Sequence, residues 1–258
     1  LFDQLKEDGE AIVGNFCDWG QRLIDQLGSR KRKVYSIGKT TDPYQLLNLN
    51  IEAGTEFHIA TGDEQHTIQL AIPGIHNARN ASLSYMTASR MGLTPQTIGR
   101  GLRSFEGVPG RFERINLPNG ATCIIDYAHT PDALNFCFKT IKALGARHLF
   151  HVFGFRGNGD PTKRRKMVEI SNEFSDVMIL TLDDLYTVTS EKMIDELQMH
   201  IELYVDDTAL LIPDRTRAIE YAINQSSEGD MILITGKGPE KYKQSFEQPT
   251  VTDKETVY

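Results

Sequence analysis

Short apolar runs alternate with helix-forming segments through the second half of the chain, and this alternation constrains the fold more than any other feature. The runs are Ala121–Ile125, His148–Phe153, Val177–Thr181, Ala209–Ile212 and Met231–Thr235. Runs this short, rich in branched residues and set between turn residues, read as strands. Helices are expected between them: one ending near Leu144, others from Pro161, Ser190 and Asp214, and a last one from Pro239. Strand–helix alternation of this length predicts an α/β fold with a mostly parallel sheet and right-handed crossovers. Pro118-Asn119-Gly120 is a hairpin signal, so an antiparallel strand should precede Ala121. After Ile125 come Asp126-Tyr127-Ala128-His129 and then Thr130-Pro131-Asp132. The last three are a helix start, with Thr as N-cap, Pro at the first helical position and an acid in the first turn.

The chemically unusual residues follow the strands. They are Asp126 to His129, Gly154 to Lys163, Asp183 to Tyr186 and Gly236 to Glu240. In a parallel sheet these loops share one edge, where open α/β sheets place ligands. Arg111 lies just upstream and brings a fixed positive charge. Gly154–Asp160 is glycine-rich and leads into Lys163-Arg164-Arg165-Lys166. Cations in the first turns of a helix oppose its dipole, so this run is either an anion site or a solvated basic face. Gly236-Lys237-Gly238-Pro239-Glu240 lacks the spacing of a P-loop and by itself reads as a tight turn.

The first hundred residues carry less chemistry. A helix at the N-terminus, an apolar Ala11-Ile12-Val13, a helix reaching Leu27 and a strand at Lys33–Ile37 are expected, then strands at Glu56–Ala60 and Thr67–Ile72. Pro73-Gly74-Ile75-His76-Asn77-Ala78-Arg79-Asn80 leads into a small-residue helix stopped by Gly92. Asn77 and Asn80, three apart, share a helical face. Their side-chain amides suit a planar ring, although the commoner reading makes one an N-cap and leaves the other exposed. Thr94-Pro95 opens another helix, and Glu106–Gly110 breaks the chain. A domain boundary is placed there, giving 1–107 and 108–258, with the break as a candidate hinge.

The composition narrows the class. The net charge of -7 disfavours nucleic acid as a partner, and three scattered cysteines argue for a reducing compartment over a disulfide framework. No apolar run is long enough for a membrane span, and no Cys/His spacing suggests zinc. The first residue is Leu, in a segment of mid-helix character, so the chain reads as a piece of a longer protein.

The motifs, taken in order, resemble the Mur ligase family, and most closely its UDP-N-acetylmuramoyl-tripeptide synthetase branch. Those that carry the resemblance are Gly74 to Asn80, Pro109-Gly110-Arg111-Phe112-Glu113, Asp126 to Asp132, Thr162-Lys163-Arg164, Asp214-Arg215, and Gly236-Lys237-Gly238 with Glu240. The resemblance implies that residues 1–107 are the remainder of a central ATPase domain and that 108–258 are a Rossmann-like C-terminal domain that binds the amino acid. It implies a cytoplasmic, monomeric ATP-dependent ligase of peptidoglycan synthesis, acting through an acyl phosphate on a UDP-MurNAc-peptide. Asn77 and Asn80 would then hold the adenine, with His76 a further nucleotide-binding residue, Arg111 would act as the catalytic contact to the γ-phosphate, and Asp126 would hold the ribose. Arg164, Asp184, Gly236 and Glu240 would bind the incoming amino acid. The P-loop and the Mg2+ ligands of the family lie upstream of Leu1 by the pattern, so no metal ligand is expected here and the piece alone should not catalyse ligation.

One departure bears on the substrate. Diaminopimelate-adding members carry Asp-Asn-Pro-Arg where this chain has Asp183-Asp184-Leu185-Tyr186. The missing arginine points to lysine or another diamino acid. A second departure is Pro239, in the place of the branch's usual His. A folylpolyglutamate-synthetase-like ligase and a non-catalytic ligase-derived binding protein are the alternatives. A nicotinamide-dependent dehydrogenase is disfavoured, because no GxGxxG follows the first strand of the parallel set.

Overall fold

The computed structural model describes residues 2–39, 41–50, 54–203 and 208–258. The chain divides into two compact units, Leu1–Glu106 and Gly107–Tyr258.

The first unit contains β1 (Glu10–Gly14), α1 (Asp18–Ser29), β2 (Lys33–Gly38), β3 (Tyr44–Asn50), β4 (Thr55–Thr61), β5 (Glu64–Leu70), α2 (Ile75–Arg90) and α3 (Pro95–Arg103). Its sheet runs in sequence order. The β1–β2 and β2–β3 pairs are parallel, whereas β3–β4 and β4–β5 are antiparallel. Ile37, Phe57, Ile59 and Ile68 of the sheet pack on Ala78, Tyr85 and Met86 of α2. Three features depart from expectation. The N-terminus forms only a 3-10 turn, Phe2–Gln4, in place of a helix. β3 has no buried residue along its length and is held by pairing on both edges, so its side chains show no alternation to read. Gly74, with φ at 113°, is the N-cap of α2, so neither Asn77 nor Asn80 caps it.

The second unit contains β6 (Glu113–Asn116), β7 (Thr122–Asp126), α4 (Pro131–Ala143), β8 (Leu149–Phe153), α5 (Arg164–Phe174), β9 (Val177–Leu180), α6 (Ser190–Ile201), β10 (Ala209–Leu211), α7 (Arg215–Gln225), β11 (Met231–Thr235) and α8 (Asp253–Val257). The sheet order is β10-β9-β8-β11-β7-β6. Every pair is parallel except the β6–β7 hairpin. Thr130, Thr189 and Asp214 cap α4, α6 and α7 through their side-chain oxygens.

The two faces of this sheet are covered by different helices. Leu134, Phe138 and Ile141 of α4, Met167 and Ile170 of α5, and Met193 and Leu197 of α6 pack with Ile124, Phe153 and Leu233. Ala218, Ile219 and Ala222 of α7, with Val257 of α8, pack with Cys123, Ile125, Ile232 and Ile234. The connection from β10 to β11 therefore returns across the opposite face and inserts β11 between β8 and β7. At such a switch the loops leaving neighbouring strands diverge and open a crevice.

No helix starts at Pro239. Gly238 has φ at 55°, and the segment after it satisfies its backbone at a distance. The amides of Lys243, Glu247 and Gln248 donate to Asp184 Oδ1 (3.1 Å), Asp214 Oδ2 (2.7 Å) and Thr216 Oγ1 (3.3 Å). These external acceptors replace the carbonyls that a helical turn would supply. Among the described residues no helix is long and apolar enough to cross a membrane.

Candidate functional site

Five segments of the second unit meet at the C-terminal edge of its sheet: Val108–Phe112, Tyr127–Thr130, Gly154–Asp160, Leu182–Val188 and Gly236–Glu240. Glycine makes the close approach possible. A Cβ on Gly110 would lie 2.3 Å from the Pro239 nitrogen, and one on Gly238 would lie 2.7 Å from the Gly110 carbonyl oxygen. Both glycines have positive φ, at 66° and 55°.

Asp126 closes β7 and is 9% exposed. Its Oδ2 accepts from the Phe112 amide and its Oδ1 from the Ala128 amide, each at 2.7 Å. Phe112 is held at φ 50°, a conformation that costs a non-glycine residue energy and persists only when its surroundings over-determine it. The Asp126 carboxylate and the burial of the Phe112 ring do this, and Arg111 is set by the same turn. Arg111 is exposed, with its guanidinium carbon 4.4 Å from the centroid of the Tyr127 ring. No carboxylate is paired with it among the described residues.

Tyr127 links Arg111 to the far side of the edge. Its hydroxyl donates to Glu240 Oε1 at 3.1 Å, while Glu240 Oε2 accepts from Arg156 NH2 at 2.5 Å. Arg156 also donates to the Gly236 carbonyl at 3.0 Å. Arg164, 6% exposed, donates to the Arg156 carbonyl at 2.9 Å and pairs with Glu196. Arg111, Arg156, Arg164, Gly236 and Glu240 thus lie on one connected network.

A cavity of about 230 Å³ opens beside this network. Arg156, Lys163, Arg164 and His129 line it with Asp160 and Asp183. Such a lining can take a carboxylate and an ammonium on one small ligand.

Behind it lies a second cluster. Lys237 and Asp184 are each 1% exposed, with Lys237 Nζ 2.8 Å from Asp184 Oδ1 and 3.4 Å from Asp183 Oδ1. One ammonium faces two buried carboxylates, and Asp184 Oδ2 has no hydrogen-bond partner among the described residues. Further out, Lys243 Nζ donates to the Tyr186 hydroxyl at 2.6 Å and lies over its ring at 4.2 Å. That hydroxyl, with Asp184 and Glu240 nearby, holds the ammonium above its ordinary pKa against partial desolvation.

His76, Asn77 and Asn80 stand in the first unit, in the opening turns of α2. Asn77 Nδ2 donates to the Pro73 carbonyl at 2.7 Å, and Asn80 is exposed. Among the described residues no group of three His, Cys, Asp or Glu could hold a metal ion. Sequence reasoning assigned no role to Tyr127, Arg156 or Lys237. Tyr127 and Lys237 sit inside motifs already quoted and Arg156 inside the glycine-rich loop, so their positions were signalled although their partners were not.

Comparison with known proteins agrees along the chain. The Mur ligase middle domain matches residues 1–88, and the Mur ligase glutamate ligase domain matches residues 110–238. A UDP-N-acetylmuramoyl-L-alanyl-D-glutamate–2,6-diaminopimelate ligase of Syntrophomonas wolfei is 33% identical over 246 residues, covering 94% of this chain and 50% of the relative. A solved structure of a ligase with the same description is 24% identical, with a TM-score of 0.63 over 96% of this chain and 52% of that one. The MurF ligase of Thermotoga maritima in complex with ADP is 18% identical, with a TM-score of 0.68 over 89% of this chain and 50% of that one. The chain therefore spans about half the length of the relatives that it matches.

Proposed function

The chain belongs to the Mur ligase family, and on that premise we propose that it is part of a cytoplasmic ATP-dependent ligase that adds the third amino acid to a UDP-MurNAc-dipeptide. The observation that carries this reading is the connected edge of the second unit, where Arg111, Glu240, Arg156 and Arg164 share one network beside a small charged cavity. Such a reaction brings a polyanion, a carboxylate and an amine together, and the edge carries a group for each.

ATP, when bound, supplies the phosphoryl group that activates the substrate carboxylate. The residues present suit it. Arg111 presents an exposed guanidinium that no carboxylate among the described residues pairs with, and the Asp126 carboxylate retains lone pairs beyond its two backbone bonds. Asn77 and Asn80 are the proposed adenine contacts, and His76 a further proposed nucleotide-binding residue. Among the described residues no cluster is offered to Mg2+.

In this reading Arg111 stabilises charge that develops on the transferred phosphoryl oxygens. Arg164 and Arg156 meet the carboxylate of the incoming amino acid, Glu240 accepts from its ammonium, and Gly236 and Asp184 shape the pocket. The buried Lys237 keeps Asp183 and Asp184 from presenting two uncompensated charges.

The amino acid is a diamino acid. The relatives are named for diaminopimelate, whereas Tyr186 in place of an arginine led to the expectation of lysine. The Lys243 ammonium, seated on Tyr186, places a cation beside the residue that stands where the arginine would and supports diaminopimelate. Calorimetric titration of the 258-residue chain with meso-diaminopimelate and with L-lysine tests this. Preference for diaminopimelate, lost in Lys243→Gln, supports the reading; preference for lysine overturns the choice of amino acid; binding of neither overturns the amino-acid site.

A further inference from the structure

We propose that Tyr127 is a positioning residue that ties the phosphate-facing Arg111 to the amine-facing Glu240, so that the two halves of the reaction are aligned through one side chain. The proposal rests on the roles given above to Arg111 and Glu240.

Tyr127 touches more of the site than either. It follows Asp126 directly, and the two Asp126 hydrogen bonds tie the backbone next to it, at Ala128, to the turn that carries Arg111, at Phe112. The Arg111 guanidinium packs against the ring at 4.4 Å, and that of Arg156 lies 5.2 Å from its centroid. His129 meets the ring edge-on at 4.9 Å. A Cβ on Gly238 would approach the Tyr127 Cβ to 3.1 Å, so the Gly236–Glu240 loop also rests on this residue.

The hydroxyl completes the brace. It donates to Glu240 Oε1 at 3.1 Å and accepts from Arg156 NH1 at 3.4 Å, while Arg156 holds Glu240 Oε2. Both oxygens of Glu240 are therefore oriented, one by the Tyr127 hydroxyl and one by Arg156. The ring and the hydroxyl do separable work. The ring sets Arg111 through a cation–π contact, and the hydroxyl sets Glu240 through a charge-assisted hydrogen bond.

That separation defines the test. The 258-residue chain is titrated calorimetrically with meso-diaminopimelate as amine probe and with sodium tripolyphosphate as phosphate probe, alongside thermal unfolding. Tyr127→Phe should lower diaminopimelate affinity about tenfold, the loss of one hydrogen bond to a charged group, and leave tripolyphosphate affinity and the unfolding midpoint unchanged. Tyr127→Leu should weaken both ligands. In a Glu240→Gln background, Tyr127→Phe should add nothing, because the hydroxyl acts through that carboxylate. A silent Tyr127→Phe, or one that weakens both ligands equally, overturns the proposal. A wild-type chain that binds neither probe overturns the functional reading itself, and the proposal with it.

Discussion

Replacing Arg215 by methionine should be among the most damaging single changes to the second unit. Arg215 opens α7 and Asp253 opens α8, and both are completely buried. Arg215 Nε and NH2 reach Asp253 Oδ1 and Oδ2 at 2.7 and 2.8 Å, a two-pronged pair, and NH2 also donates to the Thr235 carbonyl at 2.9 Å. In Arg215→Met the stem volume is kept, but the Asp253 carboxylate is left with the Tyr242 hydroxyl at 3.0 Å as its remaining side-chain donor among the described contacts. Removing one partner of a buried pair typically costs about 3–5 kcal/mol. In a unit of about 150 residues each kcal/mol moves the unfolding midpoint by about 2–4 °C, so a fall of about 6–20 °C is expected. Differential scanning calorimetry, with urea unfolding as a second measurement, reads this directly. Arg215→Met combined with Asp253→Leu should regain much of the loss, since apolar replacement of both partners is often near neutral. A fall of less than 3 °C in the single variant, or a double variant no better than the single, refutes the reasoning.

Acid should destabilise the second unit before its carboxylates titrate. His151 is fully buried between the Ser171 and Thr235 hydroxyls, and burial with the nearby Arg215 holds it down at about 3. Because the folded value lies below the unfolded one, its contribution is intact above about pH 6.5 and falls on acidification, by up to about 1.4 kcal/mol per pH unit. Urea midpoints at pH 7 and pH 5 should show a smaller difference in His151→Phe; equal differences exclude His151 as the cause. Lys237→Met, which strands Asp183 and Asp184, should cost about 3–5 kcal/mol in urea unfolding, and Asp184→Asn added to it should recover part; no loss in Lys237→Met would mean that the cluster is solvated. In a ligase assembled with this chain, Arg111→Ala should lower turnover by about 10²–10³ with the unfolding midpoint unmoved. Unchanged turnover removes Arg111 from the chemistry.

The parallel sheet was legible because its strands are buried on both faces and declare themselves as apolar runs; Met231–Thr235 is buried at every position. The caps at Thr130 and Asp214 were legible because capping is local chemistry. β3 was not, since its side chains are half-exposed and its pairing depends on segments distant in sequence. The expected helix at Pro239 failed for a related reason: Asp184, Asp214 and Thr216 take up its amides, and no local pattern encodes them. Site loops could be named from their glycines and charges. The pairing of Lys237 with Asp184, and of Tyr127 with Glu240, joins residues more than fifty positions apart and needed coordinates.

The strand order has a consequence for how the second unit is made. β11 pairs with both β7 and β8, yet among the described strands of this sheet it is the last to be synthesised. Until it leaves the ribosome, two sticky apolar edges wait side by side with the gap between them unfilled. Nascent chains stopped short of Met231 should therefore depend on chaperones or clump, and completion of this unit waits on the emergence of Met231–Thr235.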